Sequence, residues 1–578
     1  MTKARQFFDR VLQQWFRQPP SFLDAVYLSV FTVLITFNPY YADGRINLFE
    51  MGLYLPGIQG VMHGMIPYRD FFHLRGPFEL YPPAFLMSVF GAHIKVLYSY
   101  FYFGNVVCLV TCVWIARELF KTRFMFYILI PVLIARTFPR VVFMIWGGMR
   151  YAWGLIAELC VIKFFKTERP KWMFFAGMAS ATAGFTSVEI GVYSVMGVVV
   201  AWLAAWFFRL QERTVLLRSL GFFVLGILCI AAPFFIYLAV NGALMPYIES
   251  TLTVVLNQNR TFNPHFVSVY PQNFSEALTA MTNFTHTNFK HMTPSYFYIA
   301  ILAYVGYRLK RRLLNRTDLC LIFLGVYGFI MYNTGFRGIW AAQFEMALMP
   351  EKILYFFLIE ALVLSLLFQT QLLERKAFLP AGFKDSAGWK RLSVIVFILA
   401  LLGSSVGYSI GRYNHRFVAF KMLTGKKAKH YKPLANEPSA FLTTERAKGI
   451  EVPIDQADDL EYLMRFIETH TTPQDVVATY PEQGSYNFLA DRPYLGRFPL
   501  ATFSWYSEKW HEEYVRDIKS KKVKYLIVPK KTTPLWEGVY LSPERNRRKY
   551  FEVMAIIQSD YVRTDESPLS YIYEPKAN

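Results

Sequence analysis

Asp43 stands directly after the first long apolar run, in Tyr40-Tyr41-Ala42-Asp43-Gly44. A carboxylate held against apolar surface acquires a raised pKa and can act as a general base. Asp is also a strong helix N-cap, and the mostly apolar stretch Ile46–Leu55 follows at once, so a capping role competes with the catalytic one. A turn-rich stretch comes next, ending Pro67-Tyr68-Arg69-Asp70-Phe71, and then His73-Leu74-Arg75-Gly76-Pro77. Arg150 opens a later apolar run in Trp146-Gly147-Gly148-Met149-Arg150-Tyr151. Its guanidinium can bind a phosphate bidentately, or it can simply anchor the chain among lipid headgroups. Glu189 sits in an otherwise apolar turn, Gly184-Phe185-Thr186-Ser187-Val188-Glu189-Ile190-Gly191, where a carboxylate needs a partner. Arg150 is the expected one. Arg337, in Asn333-Thr334-Gly335-Phe336-Arg337-Gly338, closes another apolar run.

The elements that must position these residues are membrane spans. The chain has 578 residues, 54% apolar and only 18% charged, against roughly 25% charged in soluble domains. Its formal net charge is +20, but the cations lie between apolar runs and do not form the clustered patch of a nucleic-acid binder. The five cysteines all fall inside apolar runs, with no metal-ligand spacing and no disulfide framework. No histidine pairs with a carboxylate at ligand spacing, so no cofactor is assigned, although a divalent metal stays compatible. A crossing helix needs roughly 17–25 mostly apolar residues. Such runs start near residues 22, 95, 124, 151, 172, 190, 219, 293, 319, 350 and 392, which predicts about eleven spans. Basic joints fall at every second connection: the N-terminus, 117–123, 166–171, 209–218, 308–316 and 374–391. The positive-inside rule then puts the N-terminus in the cytoplasm and the C-terminal region outside. The short run 78–92, with Pro82 and Pro83, reads as an interfacial segment and not as a span. Charged residues gather at the outer span ends, and mid-span positions read as largely apolar.

Residues 1–410 thus form the membrane domain, with outer loops at 38–93 and 241–292, and 411–578 an outer α/β domain. In the latter, helices are expected at 455–470 (with Asp455 as N-cap), 508–520 and 544–557, and strands at 476–480, 525–528 and 570–574. Trp505, Tyr506 and Trp510 are read either as a sugar-stacking surface or, preferably, as the apolar face of a helix.

The order of these features carries a resemblance. An Asp just after span one, an interfacial helix, Gly-x-x-Pro-Tyr-Arg-Asp-Phe, and Gly-Pro before an apolar run ending Phe90-Gly91 resemble the GT-C membrane glycosyltransferases. That group includes protein O-mannosyltransferases and the lipid A aminoarabinose and cell-wall arabinose transferases. The resemblance implies a polyprenyl-phosphate sugar donor and a catalytic Asp in the first outer loop, the position of Asp43. The mannosyltransferases carry Asp-Glu there, and this chain has Asp43-Gly44, which turns the expected acceptor from protein toward glycan, glycolipid or wall polymer. By the same resemblance, Arg75, Arg150 and Arg337 would meet the donor phosphate, and Asp70 and Glu189 would hold sugar hydroxyls or orient the arginines. Transfer would be inverting, on the outer face of a bacterial inner membrane. The competing class is a transporter or flippase of a lipid-linked sugar, which predicts polar mid-span residues, broken helices or inverted repeats.

Overall fold

The computed structural model describes residues 14–37, 41–129, 148–261, 274–283, 285, 289–337, 349–369, 437–482 and 484–577, with isolated positions between 389 and 403. Within them the chain is a helical bundle joined to a small α/β unit. The bundle helices are α1 (Phe22–Thr36), α5 (Ile94–Leu119), α6 (Gly148–Thr167), α7 (Lys171–Thr186), α8 (Val188–Phe207), α9 (Arg213–Val240), α12 (Phe289–Lys310), α13 (Arg316–Arg337) and α14 (Met349–Gln369). Nine expected spans therefore coincide with helices. The runs beginning near 124 and 392 lie mostly outside the described residues, as do Arg136 and Arg140. Of the described helices, α5, α8 and α9 are each long and apolar enough to cross a membrane.

Helices α7 and α9 cross at backbone contact. A Cβ on Gly177 would lie 2.1 Å from the Phe223 carbonyl oxygen, and one on Gly226 would lie 2.0 Å from that of Phe174. Small residues at such crossings supply the close packing that associates helices where lipid removes the hydrophobic drive. At the basic joints, Arg123 and Tyr127 donate to Asp24 at 2.6 and 2.8 Å, and Arg316 donates to Glu168 at 2.6 Å. Arg308 pairs with Asp318 at 2.8 Å. One mid-helix residue departs from the largely apolar pattern. Glu158, in the middle of α6, is fully buried, and neither carboxylate oxygen has a hydrogen-bond partner among the described residues. Averaging hydropathy over a span hides a single acid.

Between α1 and α5 run α2 (Leu48–Gly52), α3 (Leu55–Met62), a 3-10 turn at Pro77–Glu79 and α4 (Tyr81–Phe90). Ten residues of helix extend only about 15 Å, half the hydrocarbon thickness, a length that fits an interfacial segment. Phe85, Val89 and Phe90 are its exposed face. Beyond α9, the described residues include α10 (Leu244–Thr261) and α11 (Phe274–Thr282).

The C-terminal unit holds a hairpin of β1 (Ser439–Phe441) and β2 (Glu451–Pro453), then α15 (Ile454–His470), β3 (Val476–Thr479), α16 (Ser485–Ala490), α17 (Glu508–Lys519), β4 (Val523–Pro529), α18 (Glu544–Asp560), β5 (Tyr561–Glu566) and β6 (Ser570–Pro575). Its four-stranded sheet has the order β3-β4-β6-β5, with β3 parallel to β4 and the other pairs antiparallel. One detail, the N-cap of α15, differs from expectation. Asp455 lies inside the first turn of α15 and bonds Arg45, while Pro453 is the N-cap residue. Trp505 and Trp510 are core side chains, exposed by 0% and 1%, which rules them out as a sugar-stacking surface.

The unit shares a single apolar core with the 41–101 segment, formed by Met51, Tyr54, Ile58, Phe71 and Phe72 together with Phe488, Leu500, Phe503 and Trp510. Hydrogen bonds stitch the seam. Gln456 bonds both the N–H and the C=O of Ile46 (2.9 and 2.8 Å), Ser485 donates to Leu48 (2.6 Å), and the Phe72 N–H donates to Arg497 (2.7 Å).

Candidate functional site

Arg75 is placed by its neighbours in the chain. The Gly76 N–H donates to the Thr186 carbonyl at 3.2 Å, and a Cβ at Gly76 would fall 1.9 Å from the Phe185 carbonyl oxygen. Only glycine lets the 72–77 loop settle this close to the α7–α8 turn. The turn also carries Glu189, at the start of α8, and faces Arg150, in the first turn of α6. Arg150 donates to Ser187 Oγ at 3.0 Å and to Glu189 at 2.9 Å, which is the pairing read from the composition of that turn. Arg75 donates to the Tyr54 hydroxyl, lies over that ring, and pairs with Glu79 at 3.5 Å. Both guanidiniums are largely buried, with side-chain exposures of 13% and 11%.

Two acids of this cluster were not singled out from the sequence. Glu50, on α2, is buried, as is Glu79. Burial pushes the Glu50 carboxyl up to about 7, against the opposing pull of Arg75 and Arg150. Burial raises Glu79 in the same way, with Arg75 and Arg150 again working against it. Burial opposes the charge on Arg75, but Tyr54, Glu79 and Glu50 hold its pKa above the ordinary value. His73 is driven down to about 3 by burial and by Arg75, so it is a neutral imidazole. The C-terminal unit reaches the same charges: Tyr506 lies within the field of Arg75 and Glu189, and Tyr540 within that of Glu50 and Arg75. The one acid in an apolar helix, and an acid four residues after an arginine, were the available signals for Glu50 and Glu79. Nothing local marks Tyr506 or Tyr540.

Asp43 is buried at the seam. Its Oδ1 accepts the Glu451 N–H at 3.4 Å, and the Gly44 N–H donates to the Glu451 carbonyl at 2.8 Å. It does not cap the following helix. Asn47 does, accepting the Glu50 N–H at 3.1 Å. Asp70 is occupied locally, taking two bonds from Arg69 (2.7 and 2.8 Å) and the Ile66 N–H (2.7 Å); the Arg69 bonds hold its carboxyl below the usual carboxylate range. Arg337 is the last residue of α13, and its side chain lies outside the described residues. Among the described residues no group of three or more His, Cys, Asp or Glu is placed to hold a metal ion.

The arrangement is a cluster of two largely buried arginines with two buried carboxylates, Glu50 and Glu79, and the partly exposed Glu189, between the bundle's α6 and α8 and the C-terminal unit. Buried arginines paired to carboxylates can exchange those partners for another oxyanion, and phosphate matches the guanidinium fork best.

No protein-family model matches the chain, and no curated protein matches it in sequence. Solved structures do match. ArnT from Cupriavidus metallidurans bound to undecaprenyl phosphate aligns over 96% of this chain and 98% of that one, with a TM-score of 0.52 and 12% identity. ArnT from the same organism in the apo state aligns over 95% and 97%, again at 0.52 and 12%. The Archaeoglobus fulgidus oligosaccharyltransferase, tethered with an acceptor peptide, gives 0.46 and 12% over 95% of this chain and 74% of its own. The likeness to ArnT extends from end to end and is a likeness of fold.

Proposed function

From the GT-C membrane fold shared with ArnT, we propose that this chain is a glycosyltransferase moving a sugar from a polyprenyl-phosphate donor to an acceptor hydroxyl. The observation that carries the reading is the convergence of Arg75 and Arg150 in one buried site of that fold. The undecaprenyl phosphate bound to ArnT supports a donor of the same class here. Arg75 and Arg150 receive the donor phosphate, with Arg337 as a third candidate. Glu79 and Glu189 hold the guanidiniums until the phosphate displaces them.

Asp43 takes the proton from the acceptor hydroxyl as its oxygen attacks the anomeric carbon. The bond from that carbon to the phosphate oxygen breaks, and the electron pair leaves with the lipid phosphate. Charge developing on this leaving group is what the arginines stabilise, an effect commonly worth a factor of about 100–1,000 per preorganised donor group. One attack from the face opposite the phosphate inverts the centre. Asp70 acts as a positioning residue, bracing the 66–70 turn through Arg69. The reaction runs on the outer face of a bacterial inner membrane, beneath the extracytoplasmic C-terminal unit, with a glycan, glycolipid or wall polymer as acceptor.

Asp43→Asn tests the base. With the purified full-length protein and a polyprenyl-phosphate sugar, turnover should fall at least 100-fold while donor affinity is retained; unchanged turnover would remove Asp43 from the mechanism. Transport of the lipid-linked sugar is a second reading, favoured by the buried mid-span Glu158. Proteoliposomes distinguish the two, since a transporter moves labelled donor between leaflets without releasing lipid phosphate.

A further inference from the structure

The cluster holds more carboxylate than cation. Glu50, Glu79 and Glu189 lie around Arg75 and Arg150, and with all five ionised the group carries a net charge of minus one. A phosphodiester entering it would add a second negative charge. Sites with surplus buried carboxylate relieve it by taking up a proton. The question is which carboxyl does so. Glu189 is fixed to Arg150 at 2.9 Å and Glu79 to Arg75 at 3.5 Å. Glu50 forms no comparable ion pair among the described residues. It is 8% exposed, and its Oε2 has no hydrogen-bond partner among them; neither oxygen of Glu79 has one either, so what sets Glu50 apart is the missing ion pair.

We propose that Glu50 takes up one proton when the donor phosphate settles between Arg75 and Arg150, and that the neutral carboxyl then serves the site as a hydrogen-bond donor. The inference rests on the donor reading above and adds to it a residue that couples donor binding to protons. The groups acting on Glu50 are Arg75 and Arg150, which favour its ionised form, and Glu79, which opposes it. Tyr54, the residue before α3, and Tyr540, from the C-terminal unit, are the neighbouring phenols. Helix α16, packed on α2, brings Ser485, which donates to Leu48, and Tyr486, whose charged neighbours are Asp459 and Glu482.

Before ligand binds, burial already places the Glu50 carboxyl at about 7. A phosphate between the arginines offsets their pull and adds a like charge, so the bound-state pKa is higher still. The sign follows by linkage. Below pH 7 Glu50 is protonated in both states and affinity is flat. Above pH 7 the free site must gain a proton in order to bind, and affinity falls as pH rises. When the lipid phosphate leaves, the proton returns to water.

The experiment is calorimetric titration of the detergent-solubilised full chain with decaprenyl methyl phosphodiester, whose single charge does not titrate between pH 5 and 9. The wild type should take up about one proton per ligand at pH 8.5 and none at pH 5.5, read from binding heats in buffers of different ionisation enthalpy. Its affinity should weaken up to about tenfold per pH unit above 7. Glu50→Gln should bind with no proton uptake and a pH-flat affinity. Wild-type binding that is pH-flat and buffer-independent overturns the proposal and leaves the donor reading standing, whereas no binding at any pH overturns both. Uptake that persists in Glu50→Gln overturns the assignment to Glu50. Should Glu50→Gln fail to fold, Glu50→Asp decides: a shifted midpoint of the pH dependence supports the proposal and an unchanged one overturns it.

Discussion

Gly76 shows how much a single residue type can fix. Its missing Cβ lets the 72–77 loop meet Phe185 and Thr186, which delivers Arg75 to the side of Arg150. Gly76→Ala puts a carbon 1.9 Å from a carbonyl oxygen, so the loop must move away by an ångström or more. Overpacking of this kind costs about 1–3 kcal/mol. A 1 Å displacement of a positioned group can also cost on the order of 100-fold in rate. The expected outcome is a protein that still folds, with a lowered melting temperature and transfer reduced 10- to 100-fold. Wild-type kinetics in that variant would show that the loop does not position the arginine. At this scale the sequence exposed Arg75, Arg150 and Glu189, because charges in apolar surroundings stand out. It did not expose Glu50 or Glu79, whose importance comes from burial among residues distant in the chain, Glu50 beside Tyr540 and Glu79 beside Arg150. Asp43 was visible as an isolated acid, but only the structure separates it from the capping role, which belongs to Asn47.

Among elements, the long helices were legible because long apolar runs stand out from the polar joints between them, and three of the described helices are long and apolar enough to cross a membrane. Length also set α4 apart from the spans. In the C-terminal unit, α15, α17, α18 and the strands β3, β4 and β6 match the expected segments within a few residues. β5 was missed, since Val562-Arg563-Thr564-Asp565 is polar and mostly solvent-facing. The sheet order was not readable either, because pairing β4 with β6 is a long-range choice. Nor was the seam, which joins Ile46 to Gln456 across 410 residues. Its energetics are testable by contrast. Gln456→Ala leaves a buried N–H and C=O of Ile46 unpaired, at a cost of about 1–3 kcal/mol. Arg45→Ala removes only exposed ion pairs, to Asp455 and Glu437, worth about 0–1 kcal/mol each. Melting curves should rank the first variant clearly below the second. Because Ile46 lies three residues from Asp43, turnover should fall with Gln456→Ala as well. Equal stability of the two variants would mean that the seam does not hold the first outer segment.

For the whole molecule, composition divides the charge usefully. Most of the +20 sits in basic joints, and those described are tied together by pairs such as Arg123 with Asp24 and Arg316 with Glu168. A small remainder is buried under the C-terminal unit, where a cation can serve chemistry. On the proposed mechanism, Arg75 and Arg150 together receive a lipid-linked phosphate during sugar transfer. The most direct measurement is the initial rate of polyprenyl phosphate release by the full-length protein, from a panel of polyprenyl-phosphate sugars. The wild type should release it from at least one donor, with a loss of about 100-fold or more in each of Arg75→Ala and Arg150→Ala. Release at the wild-type rate by either variant, folded as judged by its melting curve, would contradict that mechanism.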